Sequence, residues 1–561
     1  MKFDELTKND KDYFKKIYWD DNLSWNDKMG ILSTFIGKGD RTVRNWAKDL
    51  GFTKREEQEA PELKKAKKRK FDKKTKRFLI TWAQNDTPVH LKFFSNMKAY
   101  AKEINADVHV IAGRYKNPTS VFTDKNYDRW SGYVIPYLDA ARHDIHRYVS
   151  IMSDIKIRPT SVNPMTGMQS ISGENSCIFG SPKVQMQTIP VLEDARPKMM
   201  LTTGACTVKN YTDSKSGKKG EFHHSLGFCI VEIKDKKTFF VRQVTADENG
   251  DFTDLYYDVK FDGEEIPMEF ENPEDKLNWI EYYCNAEPVQ LKGEHQIKKV
   301  ASIDACVLGD LHCGNHDPKV IDATHKMLEN IKPKNVVLHD VFDGYSISHH
   351  DLKNPIAQYA KEFHGKNDLG KELDEMYEVL DGFKKYDNVI VARANHDDFI
   401  DRWIIKQDWK KQPTPKNYRL YSKFMDMMLE EAELNPHDPK GVIPKLFQEK
   451  YPEFITLGRR DSYKVGAWEV GQHGDIGSNG SRGSLQQYRK LNTKIIVGHY
   501  HSPGRMDGAL AVGTSTHLRV GYNMGPSSWL QSHVIIHENG KAQHINFING
   551  EFTTFEYNEK K

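Results

Sequence analysis

Five apolar runs after residue 300 each stop on a short cluster of acids, amides or imidazoles, and this repetition constrains the fold more than anything else in the chain. ASIDACVLGDLH (301–312) stops on Asp310 and His312, and NVVLHDVFDG (335–344) on Asp340 and Asp343. NVIVARANHDD (388–398) stops on Asn395, His396 and Asp397. YKVGAWEVGQHGD (463–475) stops on His473, and KIIVGHYHSPG (494–504) on His499 and His501. Runs this short and this rich in Val and Ile read as strands. A helix-like stretch, DLGKELDEMYEVLDGFKKY (368–386), separates the second from the third. The pattern predicts an α/β domain, in which ligands gather beyond the carboxyl ends of the strands. Residues i and i+2 of an extended segment face one side, so Asp310 with His312, and His499 with His501, can each converge on one locus. Carboxylate, amide and imidazole donors suit divalent Mn, Fe or Zn. Two such ions about 3.5–4 Å apart can clamp both oxygens of an in-line displacement at phosphorus, and a bridging carboxylate is the natural way to hold them.

The Asn-His-Asp string occurs twice, at 315–317 and at 395–397. The first lies beside Asp310-Leu-His312 with no strand of its own. The second follows the apolar run NVIVAR and falls between Asp340 and His473, so topology selects it. His316 is kept as a rim residue that could contact a substrate phosphate, because loops at strand ends often carry function.

The ordered series D-x-H, D-x-x-D, N-H-D, H and G-H-x-H resembles the calcineurin-like metallophosphoesterase superfamily over about residues 300–540. The resemblance implies a metallophosphoesterase-type β-sandwich flanked by helices. It assigns Asp310, His312 and His501 to one metal, Asn395, His473 and His499 to the other, and Asp340 as the bridge between them. It makes His396, oriented by Asp343, the group that protonates the leaving oxygen or stabilises phosphoryl charge, with a hydroxide between the metals as nucleophile. The cofactors implied are two divalent ions, Mn2+ foremost, with Mg2+, Fe or Zn as alternatives. The chain departs from the family at His339 and Ala394, where glycine is usual. As a whole it is also similar to the DNA-degrading first-step-transfer proteins of tailed phages. That similarity implies a manganese-dependent hydrolase that degrades DNA in the bacterial host cytoplasm.

The amino end reads differently. Residues 1–80 hold 22 Lys and Arg against 14 Asp and Glu, whereas the whole chain carries only +3. Three short helices are expected at 7–20, 24–37 and 40–51, the last two capped by Ser24 and Asp40. The glycine turn at 37–39 between them gives residues 1–60 a helix-turn-helix pattern. Val43, Trp46 and Leu50 share its inner face, and Lys38, Arg41, Arg44, Asn45 and Lys48 would face phosphates or bases. A basic arm follows at 61–77, where Lys67, Lys68 and Arg69 would neutralise phosphates. The alternatives are a small helical knob for protein contacts and a solvated hinge.

Residues 78–295 read as a mixed α/β domain of unknown role, beginning βαβ without a glycine-rich phosphate loop. There His143 and His146 are placed three apart on a helix, and His223 and His224 in a solvated loop. Residues 296–561 form the catalytic domain, with a helical insertion at 399–460 that mixes Trp, Tyr and Phe with Lys and Arg. Such a mixture suits stacking on bases, or equally a lid helix with an ordinary amphipathic face. GSNGSRGS (477–484) could offer backbone N–H groups and Arg482 to a phosphate, or be a surface loop. Six scattered cysteines without a C-x-x-C pattern predict reduced thiols and a cytoplasmic protein. No 18-residue apolar run and no secretory signal are read, so no membrane partner is expected, and homo-oligomerisation stays open.

Three functions therefore stand: a DNase, a phosphatase acting on a protein or small molecule, and a non-catalytic DNA-binding regulator.

Overall fold

The computed structural model describes residues 3–18, 20, 23, 25–50, 71, 74–115, 129–193, 195–300, 302–407, 414–437 and 439–555. The chain divides into two compact units, Met1–Lys67 and Lys68–Lys561. Ser24, Lys67, Lys68 and Arg69 lie outside the described residues.

The first unit holds three helices: Lys8–Tyr18, Trp25–Ile36 and Asp40–Asp49. Their apolar faces close on Phe14, Met29, Leu32, Ile36, Val43, Trp46 and Ala47. Gly37, with φ +66°, takes the left-handed turn that ends the second helix. Asp40 is the first helical residue, and Gly39 occupies the capping position, so the cap is not the one expected. Lys38, Arg41, Arg44, Asn45 and Lys48 are exposed.

The second unit is mixed α/β. Its central sheet has six strands, ordered Ile455–Thr456, Val389–Ala392, Pro333–His339, Ile303–Val307, Ser532–Ile536 and Ala542–Asn546. The strands Ile303–Val307, Pro333–His339 and Val389–Ala392 are parallel, so their carboxyl ends share one edge. One face is covered by helices including Pro318–Ile331 and Leu369–Asp381. The other face packs Ala305, Val307, Val337 and Ile390 against Val465, Trp468, Ile496 and Leu510. Those last four belong to or border a ten-stranded sheet.

That ten-stranded sheet joins the two stretches separated at 295 in the sequence. Gly504–Met506 pairs with Met186–Ile189 through Arg505 and Met186. Residues 78–295 and 296–561 are therefore parts of one compact unit. A five-stranded sheet containing Arg77–Gln84 packs Phe78, Ile80 and Trp82 onto Ile151, Ile178 and Met199 of the same large sheet.

Two placements in this region are corrected. Arg142–His146 is a strand, not a helix, and its irregular pairing between Asp144 and His146 sets the two imidazoles differently. His143 Nε2 meets Asp139 Oδ2 at 2.6 Å, and His146 Nε2 donates to Asp235 O at 2.9 Å. His224 is buried rather than solvated: it donates through Nε2 to Thr207 O and accepts at Nδ1 from the Tyr211 hydroxyl. His223 packs at 3.3 Å from Asp507.

The insertion folds as helices Asp398–Lys406, Tyr418–Leu434 and Val442–Lys450. Trp403, Tyr421 and Phe424 are buried in the core they share with the central sheet. These rings serve packing, which removes them from the base-stacking surface considered above. Among the described residues no helix is long and apolar enough to cross a membrane.

Candidate metal centre

Each expected donor sits one to five residues past a strand end, and the loops that carry them are tied together by their own backbones. Leu311 N donates to His339 O, His312 N to Asp340 O and Cys313 N to Val341 O, so the first two loops run side by side. Asp310 N donates to Gly513 O, and Ser515 N to Asp310 O. His499 N donates to Asp310 Oδ2 at 2.7 Å, which ties the last loop to the first. His312, Asp340, His499 and His501 all have left-handed φ, at +41°, +46°, +74° and +54°. For residues with a Cβ this conformation costs about 1–2 kcal/mol each, and such strain concentrates at functional sites.

The donors form two groups that share Asp340. In the first, His501 Nε2 lies 3.0 Å from both Asp310 Oδ2 and His312 Nε2. His312 Nε2 is 3.2 Å from Asp340 Oδ2. Asp310, His312, Asp340 and His501, all buried, present ligand atoms within 4.8 Å of one another. In the second, His473 Nε2 is 3.4 Å from Asp340 Oδ2 and 3.1 Å from Asn395 Oδ1. His499 Nδ1 lies 3.0 Å from the same amide oxygen. Asp340 Oδ2 thus faces both groups.

The residues fit a divalent cation by a test internal to the structure. Asp310 Oδ1 and Asp340 Oδ1 are buried and have no hydrogen-bond partner among the described residues. A buried carboxylate oxygen left unpaired is costly, and an ion at that point removes the cost. Gly498 maintains the space: a Cβ there would stand 2.3 Å from Asp310 Oδ1 and 3.1 Å from His473 Nδ1. Burial disfavours charge throughout, yet the imidazoles around Asp340 hold its carboxyl well below the usual range. Cys306 and Cys313 are buried free thiols, pushed up by burial, and neither joins the donors.

Asp343 is placed differently from the expectation. Its carboxylate accepts from His312 Nδ1 at 2.9 Å and from Asn315 Nδ2 at 3.0 Å. It is the backbone carbonyl of Asp343, at 2.6 Å, that takes His396 Nδ1. Asp343 therefore orients His312 through its side chain and His396 through its main chain. The His396 ring stacks on Phe399 at 4.5 Å and meets His312 edge-on at 4.6 Å.

The first Asn-His-Asp string divides three ways. Asn315 holds Asp343, and Asp317 caps helix Pro318–Ile331 by accepting from Lys319 N. His316 is turned onto its own loop, accepting from Gly314 N at 3.2 Å. Its burial, with His517 beside it, keeps the imidazole below its ordinary value. Arg482 is exposed on a loop whose ends pair at Ile476 and Arg482. The N–H groups of Gly477, Gly480, Ser481 and Gly483 donate to carbonyls of that region.

Residues that the sequence reading passed over complete the surroundings. Tyr522 OH lies 3.5 Å from Asp343 Oδ1, and Trp529 meets His501 edge-on at 4.1 Å. Arg459 pairs with Asp475, two residues past His473, and Arg459 Nη1 donates to the carbonyl of Arg393, two residues before Asn395. Only Asn315 carried a sequence signal, through its motif. His339, where glycine was expected, is fully buried with neither ring nitrogen partnered, and burial brings it down to about 4.

The chain is 28% identical over 502 residues to Protein A1 of Escherichia phage T5, a match covering 86% of this chain and 83% of that protein. No family model matches the sequence. No solved structure matches it.

Proposed function

We propose that the chain is a two-metal phosphodiesterase of the calcineurin-like type, and that its substrate is DNA. The observation that carries the reading is the meeting of seven donors from five strand ends in two groups, with Asp340 Oδ2 beside both. Asp310, His312 and His501 would hold one ion, Asn395, His473 and His499 the other, with Asp340 between them. Divalent ions held there act as Lewis acids toward a phosphoryl group and activate water.

The chain's own groups do the rest. A carboxylate can only accept, so His312 Nδ1 donates to Asp343 and leaves Nε2 as the donor atom toward the metal. A carbonyl can only accept, so Nδ1 of His396 carries a hydrogen. Its Nε2 is then the nitrogen that can hold a proton and deliver it to a leaving oxygen. Asn315 and Tyr522 fix Asp343 and, through it, both imidazoles.

DNA is favoured over a small phosphoester by two features. The amino-terminal unit exposes Lys38, Arg41, Arg44, Asn45 and Lys48 around a tight helical turn. The relative named above is a phage protein, and a phage enzyme of this kind would work in the host cytoplasm. The test offers linear and circular DNA, a monoester and a simple diester, each with Mn2+, Mg2+ or chelator. DNA cleavage that requires the ion and disappears in Asp340→Ala supports the reading. Monoester turnover without DNA cleavage identifies a phosphatase, and DNA binding without any turnover identifies a regulator.

A further inference from the structure

None of the metal donors lines a second depression in the Lys68–Lys561 unit, a cleft of about 1220 Å³. It lies among helix Lys215–His223, the hairpin Lys464–Glu469, and the strands that begin at Lys494 and Gly504. Seven of its lining residues are Lys or Arg and three are Asp or Glu. One of the carboxylates already has three basic neighbours. Asp507 meets Lys183 Nζ at 2.6 Å, His223 Nδ1 at 3.3 Å and Arg489 Nε at 3.4 Å.

Arg505, Lys541 and Lys494 are among the lining cations that have no such ion pair among the described residues. Arg505 is on the strand Gly504–Met506, with Nη1 donating to Ala542 O at 3.4 Å and a buried Nε that has no acceptor. It forms no ion pair among the described residues, and burial pushes its guanidinium down to about 10. Lys541, next to Ala542, is part-buried. Burial and the positive charges of Lys494 and Arg505 lower it, with Asp247 partly opposing. Lys494 holds its ammonium 5.4 Å over the Trp468 ring in the same cleft. Like charges gathered in a partly desolvated place cost stability unless a counter-charge joins them. Guanidinium and ammonium groups together are the usual recognition set for phosphate.

The cleft's size and rim select among phosphates. Its volume exceeds the roughly 300–1,000 Å³ typical of small-molecule pockets. Phe222, in the lining, is 82% exposed, its ring meeting that of His223 edge-on at 5.0 Å, so its face is open to a further ring. Cations that track a backbone, with an aromatic face for bases, form the common design for single strands.

We propose that this cleft binds a single-stranded polynucleotide by its phosphates, with Lys494, Arg505 and Lys541 on the backbone and Phe222 stacking on a base. The choice of ligand rests on the polynucleotide reading of the metal centre; the cation cluster does not. The test uses the full chain in chelator and a fluorescein-labelled strand of about a dozen nucleotides, followed by anisotropy across a salt series. The Lys494→Glu, Lys541→Glu double variant should bind at least about tenfold more weakly, and its salt slope should fall by about 1.4, at about 0.7 per lost phosphate contact. Phe222→Ala should weaken binding without changing the slope. Hydrolysis of bis(p-nitrophenyl) phosphate with Mn2+ should be unchanged in both variants, which reports on the metal centre separately. Wild-type affinity and slope in the double variant would overturn the proposal, whatever the turnover. Equal competition by a free mononucleotide, lost in the same variant, would also overturn it and mark a small-phosphate site instead.

Discussion

Gly498→Ala isolates the geometry of the metal centre with a single methyl group. The added Cβ would stand 2.3 Å from Asp310 Oδ1, where ordinary contact begins near 3.4 Å, so the oxygen must move by about 1 Å. The carboxylate cannot swing away cheaply, because Oδ2 is held by His499 N at 2.7 Å and His501 Nε2 at 3.0 Å. The other near atoms, His339 Cβ and His473 Nδ1 at 3.1 Å, leave little room for the backbone to retreat. Overpacking of this kind costs about 1–3 kcal/mol. Metal–oxygen distances tolerate only about 0.2 Å, so a shift of about 1 Å should lower Mn2+ affinity by about 100-fold or more, the loss that a comparable misplacement causes in catalysis. The assay is calorimetric titration of Mn2+ into the metal-free protein, with thermal melting in chelator alongside. Gly508→Ala is the control, since its Cβ would meet Lys494 Cγ at an ordinary 3.5 Å. Wild-type Mn2+ affinity in Gly498→Ala would refute the assignment of Asp310 Oδ1 as a ligand.

Other outcomes follow from the same contacts. His396→Ala should lower kcat on DNA by about 10²–10⁴-fold with little change in KM, read from steady-state kinetics. Asn315→Ala leaves the ligands in place but removes the donor to Asp343 Oδ2, and should weaken metal binding by about 10–100-fold in the same titration. Mn2+ at about 100 times its Kd should stabilise the fold by about 2.7 kcal/mol, seen as a rise in Tm that chelator reverses. His224 and His544 are held neutral by burial, each at about 4, against an unfolded value near 6.5. Between those values the unfolded chain binds more protons, so stability should fall as pH drops from about 6.5 to about 4. Urea midpoints at pH 7.5 and 5.0 measure this, and His224→Gln should flatten part of the slope.

The strand ends were legible because short runs of Val and Ile and their polar stops are local features. Of the two i, i+2 pairs, Asp310 and His312 meet in one group as strand spacing suggests, whereas His499 and His501 turn to different groups on left-handed backbone. What each polar group binds was not legible. Asp343 has a carboxylate and a carbonyl, and sequence spacing cannot say which of them meets His396 and which meets His312. That residues 78–295 and 296–561 share one compact unit was not legible for a related reason. A five-residue strand such as Lys198–Thr202 records that it is buried on both sides, not which sheet it joins, so the link between Met186 and Arg505 was invisible. The aromatic insertion misled in the same way, since Trp403 and Tyr421 look alike in sequence whether they face a core or a strand of DNA.

The left-handed donors show a deeper limit. Sequence reading looks for this conformation at glycine or asparagine, yet His312, Asp340, His499 and His501 all adopt it. Local preference and native structure conflict at these four positions, and such conflicts are expected where function outweighs local stability. The conflict also explains how the neighbours are built. Asp310 carries no strain of its own, but it accepts the backbone of strained His499 and lies against the imidazole of strained His501. His312 and Asp340 are locked to each other through a main-chain bond of 2.8 Å. His312 and Asp340 are thus held by paired backbone groups of neighbouring loops, and His499 by its backbone N–H on the Asp310 carboxylate. These ties leave the Asp310 carboxylate little room to shift, which is what makes a single methyl group at Gly498 a sensitive probe of the ligand set.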